Sequence, residues 1–152
     1  MVKSKNCAKA VIIQNDKMLL IKKQYENGEV VYTLPGGTQE AGESLQNTVK
    51  REALEEVAAK IEVKGLLSLY EHTRPSKTQP NELKHKVEFA FLCEIMGDYS
   101  PQNGFHPDPH QHSVEWISLS ALKGLSLDPP ILSTILQTHT LPDKPVYLGL
   151  FE

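Results

Sequence analysis

Arg51-Glu52-Ala53-Leu54-Glu55-Glu56 packs three carboxylates into one turn and a half of a run that reads as helix from Leu45 to about Ala59. At roughly 100° per residue, Glu52, Glu55 and Glu56 share one face, spaced i, i+3 and i+4. Leu45, Val49, Ala53 and Val57 form an apolar stripe, and Glu56 falls about 40° from Glu52, in the sector of Leu45 and Val49. A carboxylate turned toward a core is costly without a partner. Like charges at this spacing also repel by a few tenths of a kcal/mol per pair. Two readings stand: a solvated charged face eased by Arg51, or hard oxygen ligands for Mg²⁺ or Mn²⁺, whose binding relieves the repulsion.

Ser44 is placed to cap this helix, its hydroxyl taking an orphan amide of the first turn. Before it, Gly36-Gly37 and Gly42-Glu43 supply backbone that can bring carbonyls to a metal or amides to a phosphate. Further upstream, the apolar runs 7–14 and 17–23, joined by Asn15-Asp16, read as a hairpin. Val30 to Leu34 reads as a short strand that Pro35-Gly36-Gly37 terminates.

Beyond the helix, Ile61 to Tyr70 and Lys84 to Ile95 read as longer strands, with His72 to Leu83 as a surface loop and Met96 to Ser113 as a second long loop. Val114 to Ile117 is one more strand. A short helix follows near Ser120-Ala121-Leu122, and a final one opens at Asp128-Pro129-Pro130 and runs to about Leu136. Pro145 to Phe151 is expected as an edge strand or a packed tail. Strands split by one long helix and a late one predict an α/β fold, a sandwich around a mixed sheet.

With 152 residues the chain is expected to form a single domain, 1–152. A formal charge of −3 argues against stable nucleic acid binding by general electrostatics, so a phosphate substrate must be met locally. Cys7 and Cys93 lie in apolar strands and read as buried free thiols. No signal peptide is evident, and nowhere do the ~18 apolar residues needed to cross a bilayer occur, so a cytoplasmic location and no membrane partner are expected. Exposed strand edges leave room for a homodimer.

Gly37, then Glu43 after five residues, Arg51-Glu52 after seven more, and Glu55-Glu56 resemble the signature of the Nudix (MutT-like) hydrolase family, G-x5-E-x7-R-E-U-x-E-E-x-G-U with U aliphatic. Leu34-Pro35-Gly36 and Val114-Glu115-Trp116-Ile117 look like family features outside it. Ala58 and Ala59 depart from it, at the glycine and the last aliphatic. Alanine in a left-handed helix exit costs on the order of 1 kcal/mol, so the helix is expected to run on or to leave differently.

The resemblance implies an α/β/α sandwich with a central mixed β-sheet and divalent-metal-dependent hydrolysis of a pyrophosphate linkage in a nucleoside diphosphate derivative. Glu52, Glu55, Glu56 and the carbonyl of Gly36 would ligate Mg²⁺ or Mn²⁺, with Arg51 and Glu43 orienting the carboxylates. The general base is expected to be Glu55 or Glu56, with Asp108 and Glu115 as candidates outside the helix. The substrate would be a small nucleotide, either a nucleoside triphosphate or an ADP-ribose-like molecule; the alternative is a catalytically silent domain of this fold that senses nucleotides. Pro75 resembles the marker of the ADP-ribose pyrophosphatase subgroup. Arg74 and Lys77 beside it are candidates for a terminal phosphate or ribose, and Tyr32 for stacking on a base. His106, His110 and His112, among prolines, read as a mobile loop closing over substrate, and His85 as structural.

Overall fold

Period-two alternation in the first strand divides the molecule into two cores. The computed structural model describes residues 3–130, 132–135 and 142–151. In β1 (Lys3–Gln14), Ala8, Ala10 and Ile12 point to one face and Val11 and Ile13 to the other. β2 (Lys17–Gln24) divides likewise, Leu19 and Ile21 against Met18 and Leu20. The remaining elements are β3 (Val30–Thr33), β4 (Gly36–Thr38), α1 (Leu45–Val57), β5 (Ile61–Pro75), β6 (Leu83–Ile95), β7 (Gln111–Ser118), a 3₁₀ turn (Leu119–Gly124), α2 (Leu132–Ile135) and β8 (Val146–Phe151).

The strands run in the order β3-β2-β1-β6-β5-β8, with β4 added to β1 and β7 to β2. β1–β6 and β5–β8 are parallel and the other pairs antiparallel, so the sheet is mixed, as expected. β1 serves two partners: its end at Ile13-Gln14 pairs with β2, while Lys3 to Ile12 pair with β6. On one face Val49, Ala53 and Val57 of α1 close over Ala8, Ala10, Ile12, Phe91 and Cys93. Each valine so buried contributes about 1.5–3 kcal/mol. On the other face Leu122, Leu127 and Leu132 cover Val11, Met18, Leu20 and Ala90. Cys7 and Cys93 are buried free thiols.

Ser44 caps α1, its Oγ accepting from the Asn47 amide at 3.1 Å. The exit differs from expectation. The helix ends at Val57, and Ala58 itself takes the left-handed conformation (φ 55°, ψ 30°) that glycine holds in the signature. The Ala59 amide returns to the Ala53 carbonyl at 3.2 Å, closing the helix as a glycine would. Tertiary packing therefore overrides the alanine penalty: Val57 and Ala59 are both fully buried on either side of it.

Three boundaries also move. Pro35-Gly36-Gly37 does not end strand structure, because Gly36-Gly37-Thr38 pair with Lys9, Ala8 and Cys7 as β4. The stretch from His72 to Pro75 belongs to β5, carried on by pairing with Leu83 to Lys86, which leaves only 76–82 as a turn. The later loop closes at Gln111, where β7 begins. Pro145 to Phe151 resolves to an edge strand, parallel to β5. Leu136, where the last helix was expected to end, lies outside the described residues. Among the described residues, no helix is long and apolar enough to cross a membrane.

Candidate active site

β4 passes between β1 and α1, and it fits because two of its three residues are glycine. A Cβ on Gly36 would stand 2.1 Å from the Ala8 carbonyl oxygen, and its φ of +148° is one that side chains rarely adopt. A Cβ on Gly37 would stand 2.4 Å from Cδ of Glu52 and 2.5 Å from its Oε1. The bare backbone thus lies directly against the acidic helix. The Gly36 amide donates to Glu56 Oε1 at 2.8 Å, giving that inward carboxylate its partner.

Arg51 braces the cluster. Its Nε and Nη2 donate to the two oxygens of Glu43 at 2.8 and 3.1 Å. Nη1 reaches Glu52 Oε1 at 3.0 Å and Glu55 Oε2 at 3.2 Å, and Nη2 also donates to the Thr38 carbonyl at 3.0 Å. The Thr48 hydroxyl adds a 2.7 Å bond to Glu43. These bonds, Arg51's first, hold the Glu43 carboxyl down at about 2, while Glu43 raises Arg51 above its ordinary value. Only a planar fork of five donors can serve three carboxylates and a carbonyl together.

Glu56 is 2 % exposed. Burial, then the negative charge of Asp108, push its carboxyl up to about 8, against the pull of Lys9 and the Gly36 amide. Burial also raises Glu52, opposed by Arg51. Burial alone would raise Asp108, but Glu56, Lys23 and Lys9 outweigh it and leave it below its ordinary value. Lys23 Nζ stands 3.4 Å from Asp108 Oδ2.

The segment carrying Asp108 is fastened to the C-terminal end of α1. The Gly104 and His106 amides donate to the carbonyls of Glu56 and Glu55 at 2.8 and 2.9 Å. Gln111 Nε2 also donates to the Glu56 carbonyl, at 2.8 Å, and the Tyr99 hydroxyl donates to that of Val57, at 2.7 Å. These are the carbonyls a helix leaves unpaired at its end. The start of the three-histidine stretch is thus tied to the helix end. His106 contributes its amide, His110 meets Tyr25 with ring centroids 4.6 Å apart and planes tilted by 40°, and His112 accepts at its carbonyl from Asn103.

Glu52, Gly36, Gly37, Asp108, Lys9 and Lys23 line a cleft of about 360 Å³. Its carboxylates, Glu52 and Asp108, are hard oxygen donors, the chemistry that suits Mg²⁺ or Mn²⁺, although Cys7 and His110 also line it. Among the described residues no three acidic, histidine or cysteine side chains converge as a closed cage, since Arg51 draws Glu52 and Glu55 while Glu56 turns to Gly36. That still fits Mg²⁺, which keeps several waters and takes one or two carboxylates at a time. Buried carboxylates held above their ordinary values, beside a glycine strand that a Cβ would push into Glu52, mark the place where a cation would be welcome.

Not every candidate comes to this cleft. Tyr32 stands opposite Lys22 and packs against the second core with Leu20 and Leu127, on the face away from α1. Its place follows from β-sheet pairing, which sequence periodicity over four residues does not reveal. Glu115, opposite Leu20, shares that face and accepts from the Ser113 hydroxyl at 2.7 Å. Arg74, Pro75 and Lys77 line a neighbouring pocket, with Arg74 ion-paired to Asp128 at 2.9 Å.

Sequence reading missed Lys9, Lys23 and the buried group of Tyr70, His72 and Glu88. The Tyr70 hydroxyl donates to Glu88, and His72 Nε2 lies 3.5 Å from Glu88 Oε1. Lys9 is drawn above its ordinary value by Glu88 and Glu56, despite burial that works the other way. The usable signal was Lys9 standing alone between Ala8 and Ala10, on the face of Val11.

The sequence pattern of the NUDIX domain family matches residues 5–137. An ADP-ribose pyrophosphatase of Methanocaldococcus jannaschii is 31% identical over 87 residues, 57% of this chain and 48% of that protein. A NAD-capped RNA hydrolase of Chromobacterium violaceum is 30% identical over 121 residues, 79% of this chain and 40% of that protein. The chain thus spans about half or less of the length of these relatives. Among solved structures, a MutT Nudix hydrolase from Burkholderia pseudomallei superposes with a TM-score of 0.69 at 24% identity, covering 91% of this chain and 99% of that one. A MutT protein from Bacillus halodurans gives 0.68 at 23%, covering 97% and 89%. The glycine strand, the acidic helix braced by Arg51 and Glu43, and these matches together show that the chain belongs to the Nudix family.

Proposed function

We propose that this chain hydrolyses the pyrophosphate linkage of a small nucleotide, with Mg²⁺ or Mn²⁺ held by Glu52, Glu55, Glu56 and the carbonyl of Gly36. The observation that carries this reading is the meeting of the glycine strand, Glu52 and Asp108 on one cleft, with Arg51 tying Glu52 to Glu43 and Glu55 beside it. When bound, the cation supplies neutralisation of the diphosphate charge and a more acidic attacking water.

The protein's own part is orientation. Arg51 and Glu43 keep Glu52 and Glu55 in place against repulsion, and Gly36 fixes Glu56 through its amide. Lys9 and Lys23 line the cleft with positive charge for the phosphoryl oxygens. The base that takes the water's proton is drawn from Glu55 and Glu56 on the acidic helix and Asp108 in the cleft. One relative is named for ADP-ribose and the other for NAD-capped RNA, and this favours an ADP-ribose-like substrate over a nucleoside triphosphate. Arg74 and Lys77 then meet the end of the substrate remote from the cut.

The test is a panel of ADP-ribose, NADH and nucleoside triphosphates incubated with Mg²⁺ or Mn²⁺, following nucleotide and phosphate products, with Glu56→Gln as control. Turnover of at least one substrate that Glu56→Gln loses is expected. Equal background in both proteins across the panel refutes the enzyme and leaves the nucleotide-sensing alternative.

A further inference from the structure

We infer that a second, cationic pocket beside the cleft binds a phosphate monoester carried by the nucleotide at a distance from its pyrophosphate; this rests on the pyrophosphohydrolase reading above. The argument starts from register. Lys5 of β1 lies opposite Lys86 of β6, which lies opposite His72 of β5; one row along, Lys84 lies opposite Arg74. Paired residues project to the same side of a sheet. Lys5, Lys84, Lys86, Arg74 and His72 therefore crowd onto one face, the one that carries Val11, Tyr70 and Ala90 further along. Like charges directly opposite one another destabilise a sheet.

Part of this charge is answered within the protein: Asp128 meets Arg74 at 2.9 Å and Glu88 meets His72 at 3.5 Å. Among the described residues, the ammonium groups of Lys5, Lys77, Lys84 and Lys86 have no carboxylate within 4.0 Å. All four line one pocket of about 440 Å³, in which Glu82 is the sole lining carboxylate among the described residues. His72 also lines it, buried at 6 % exposure, with its Nε2 directed at Glu88. A phosphate monoester brings nearly two negative charges and three acceptor oxygens, and lysines meet such a group as point charges.

Thr38 and Lys86 line both this pocket and the cleft, and the Thr38 carbonyl is the one that Arg51 grips. A nucleotide with its diphosphate on the acidic helix can therefore extend along β4 and β6 to place a second phosphate among the lysines. The pocket's volume lies in the range of small-molecule sites.

Two matched pairs differ by that phosphate alone: NADPH against NADH, and coenzyme A against dephospho-coenzyme A. With Mg²⁺, the phosphorylated member of at least one pair is expected to show kcat/KM about tenfold higher, through a lower KM, the equivalent of one charge-assisted contact. The ratio should fall toward one in Lys5→Gln/Lys84→Gln, and in about 0.5 M salt, where charges are screened within a few ångströms. A ratio near one for both pairs in the wild type, or a preference that the double variant retains, overturns the inference.

If none of the four is hydrolysed, the pairs give no comparison, and the pyrophosphohydrolase reading fails only when ADP-ribose and the nucleoside triphosphates are left intact as well. Calorimetry with the protein alone then decides on the pocket. Adenosine 2′,5′- or 3′,5′-bisphosphate binding about tenfold tighter than AMP, lost in the double variant, supports it. Equal affinities overturn it.

Discussion

Adjacent glycines in β4 should fail in opposite ways when given a methyl group. In Gly36→Ala the new Cβ meets backbone, 2.1 Å from the Ala8 carbonyl oxygen and 2.7 Å from Cα of Lys9, at a φ of +148°. The Lys9 side chain, also 2.7 Å away at Cδ, can swing aside, but these two backbone atoms cannot. Overpacking costs about 1–3 kcal/mol, and the disfavoured backbone adds about 1–3 kcal/mol. A loss of about 4 kcal/mol lowers Tm by roughly 8–16 °C in a chain of this size. In Gly37→Ala the Cβ meets only the carboxylate of Glu52, the far end of a flexible side chain.

Gly37→Ala should therefore melt within a few degrees of the wild type. Its displaced Glu52 breaks the 3.0 Å bond to Arg51 and moves a proposed ligand, and such disturbances cost about 10- to 100-fold in metal affinity or activity. Differential scanning calorimetry gives the first quantity, and Mg²⁺-dependent turnover with Mn²⁺ titration by electron paramagnetic resonance gives the second. If both variants unfold equally early, or if Gly37→Ala keeps full activity and metal affinity, the account of this strand is wrong.

Ala58→Gly should raise Tm by about 2–4 °C, by relieving roughly 1 kcal/mol of left-handed strain at φ 55°; an unchanged or lower Tm in calorimetry contradicts it. Arg51→Lys should stay folded by circular dichroism yet lose at least about tenfold in kcat, since an ammonium cannot span Glu43, Glu52, Glu55 and Thr38 together; near-normal turnover speaks against the brace. Burial works to raise Glu88, but His72, Lys9 and Tyr70 outweigh it and hold the carboxyl at about 2. With its folded pKa depressed, its contribution is present above about 4.5 and is lost as pH falls toward 2. Urea melts of Glu88→Gln should accordingly show lower stability at pH 7 and a shallower decline on acidification; an identical pH slope refutes this.

The acidic helix was readable from spacing alone, because an i, i+3, i+4 pattern is a local property that the chain carries into any fold. Glu56 illustrates it: its inward angle was visible in the sequence, and the structure supplies the Gly36 amide that meets it. What spacing could not show depends on partners far along the chain. β4 exists because glycine lets it squeeze beside Ala8 and Glu52, a fit invisible in Pro-Gly-Gly read as a turn. β5 runs on through His72 to Pro75 because β6 is there to pair with it. The faces that Tyr32 and Glu115 take are set in the same way, by pairing. The lysine rows of the second pocket likewise become a feature only when β1, β5 and β6 are laid side by side.

The shared strand β1 makes this protein unequally tolerant of different genetic changes. Substitutions along it trade one side chain for another, and each is judged at its own site. A single-codon insertion or deletion between Lys3 and Ile12 is another matter: it inverts the facing of every residue on one side of the change. Lys9 would then enter the layer beneath α1 and an alanine would replace it in the cleft, while β4 and β6 lost their partners in the same step. Length variation in this lineage should therefore collect in 76–82 and the tail, and β1 should keep its residue count even where its residues change.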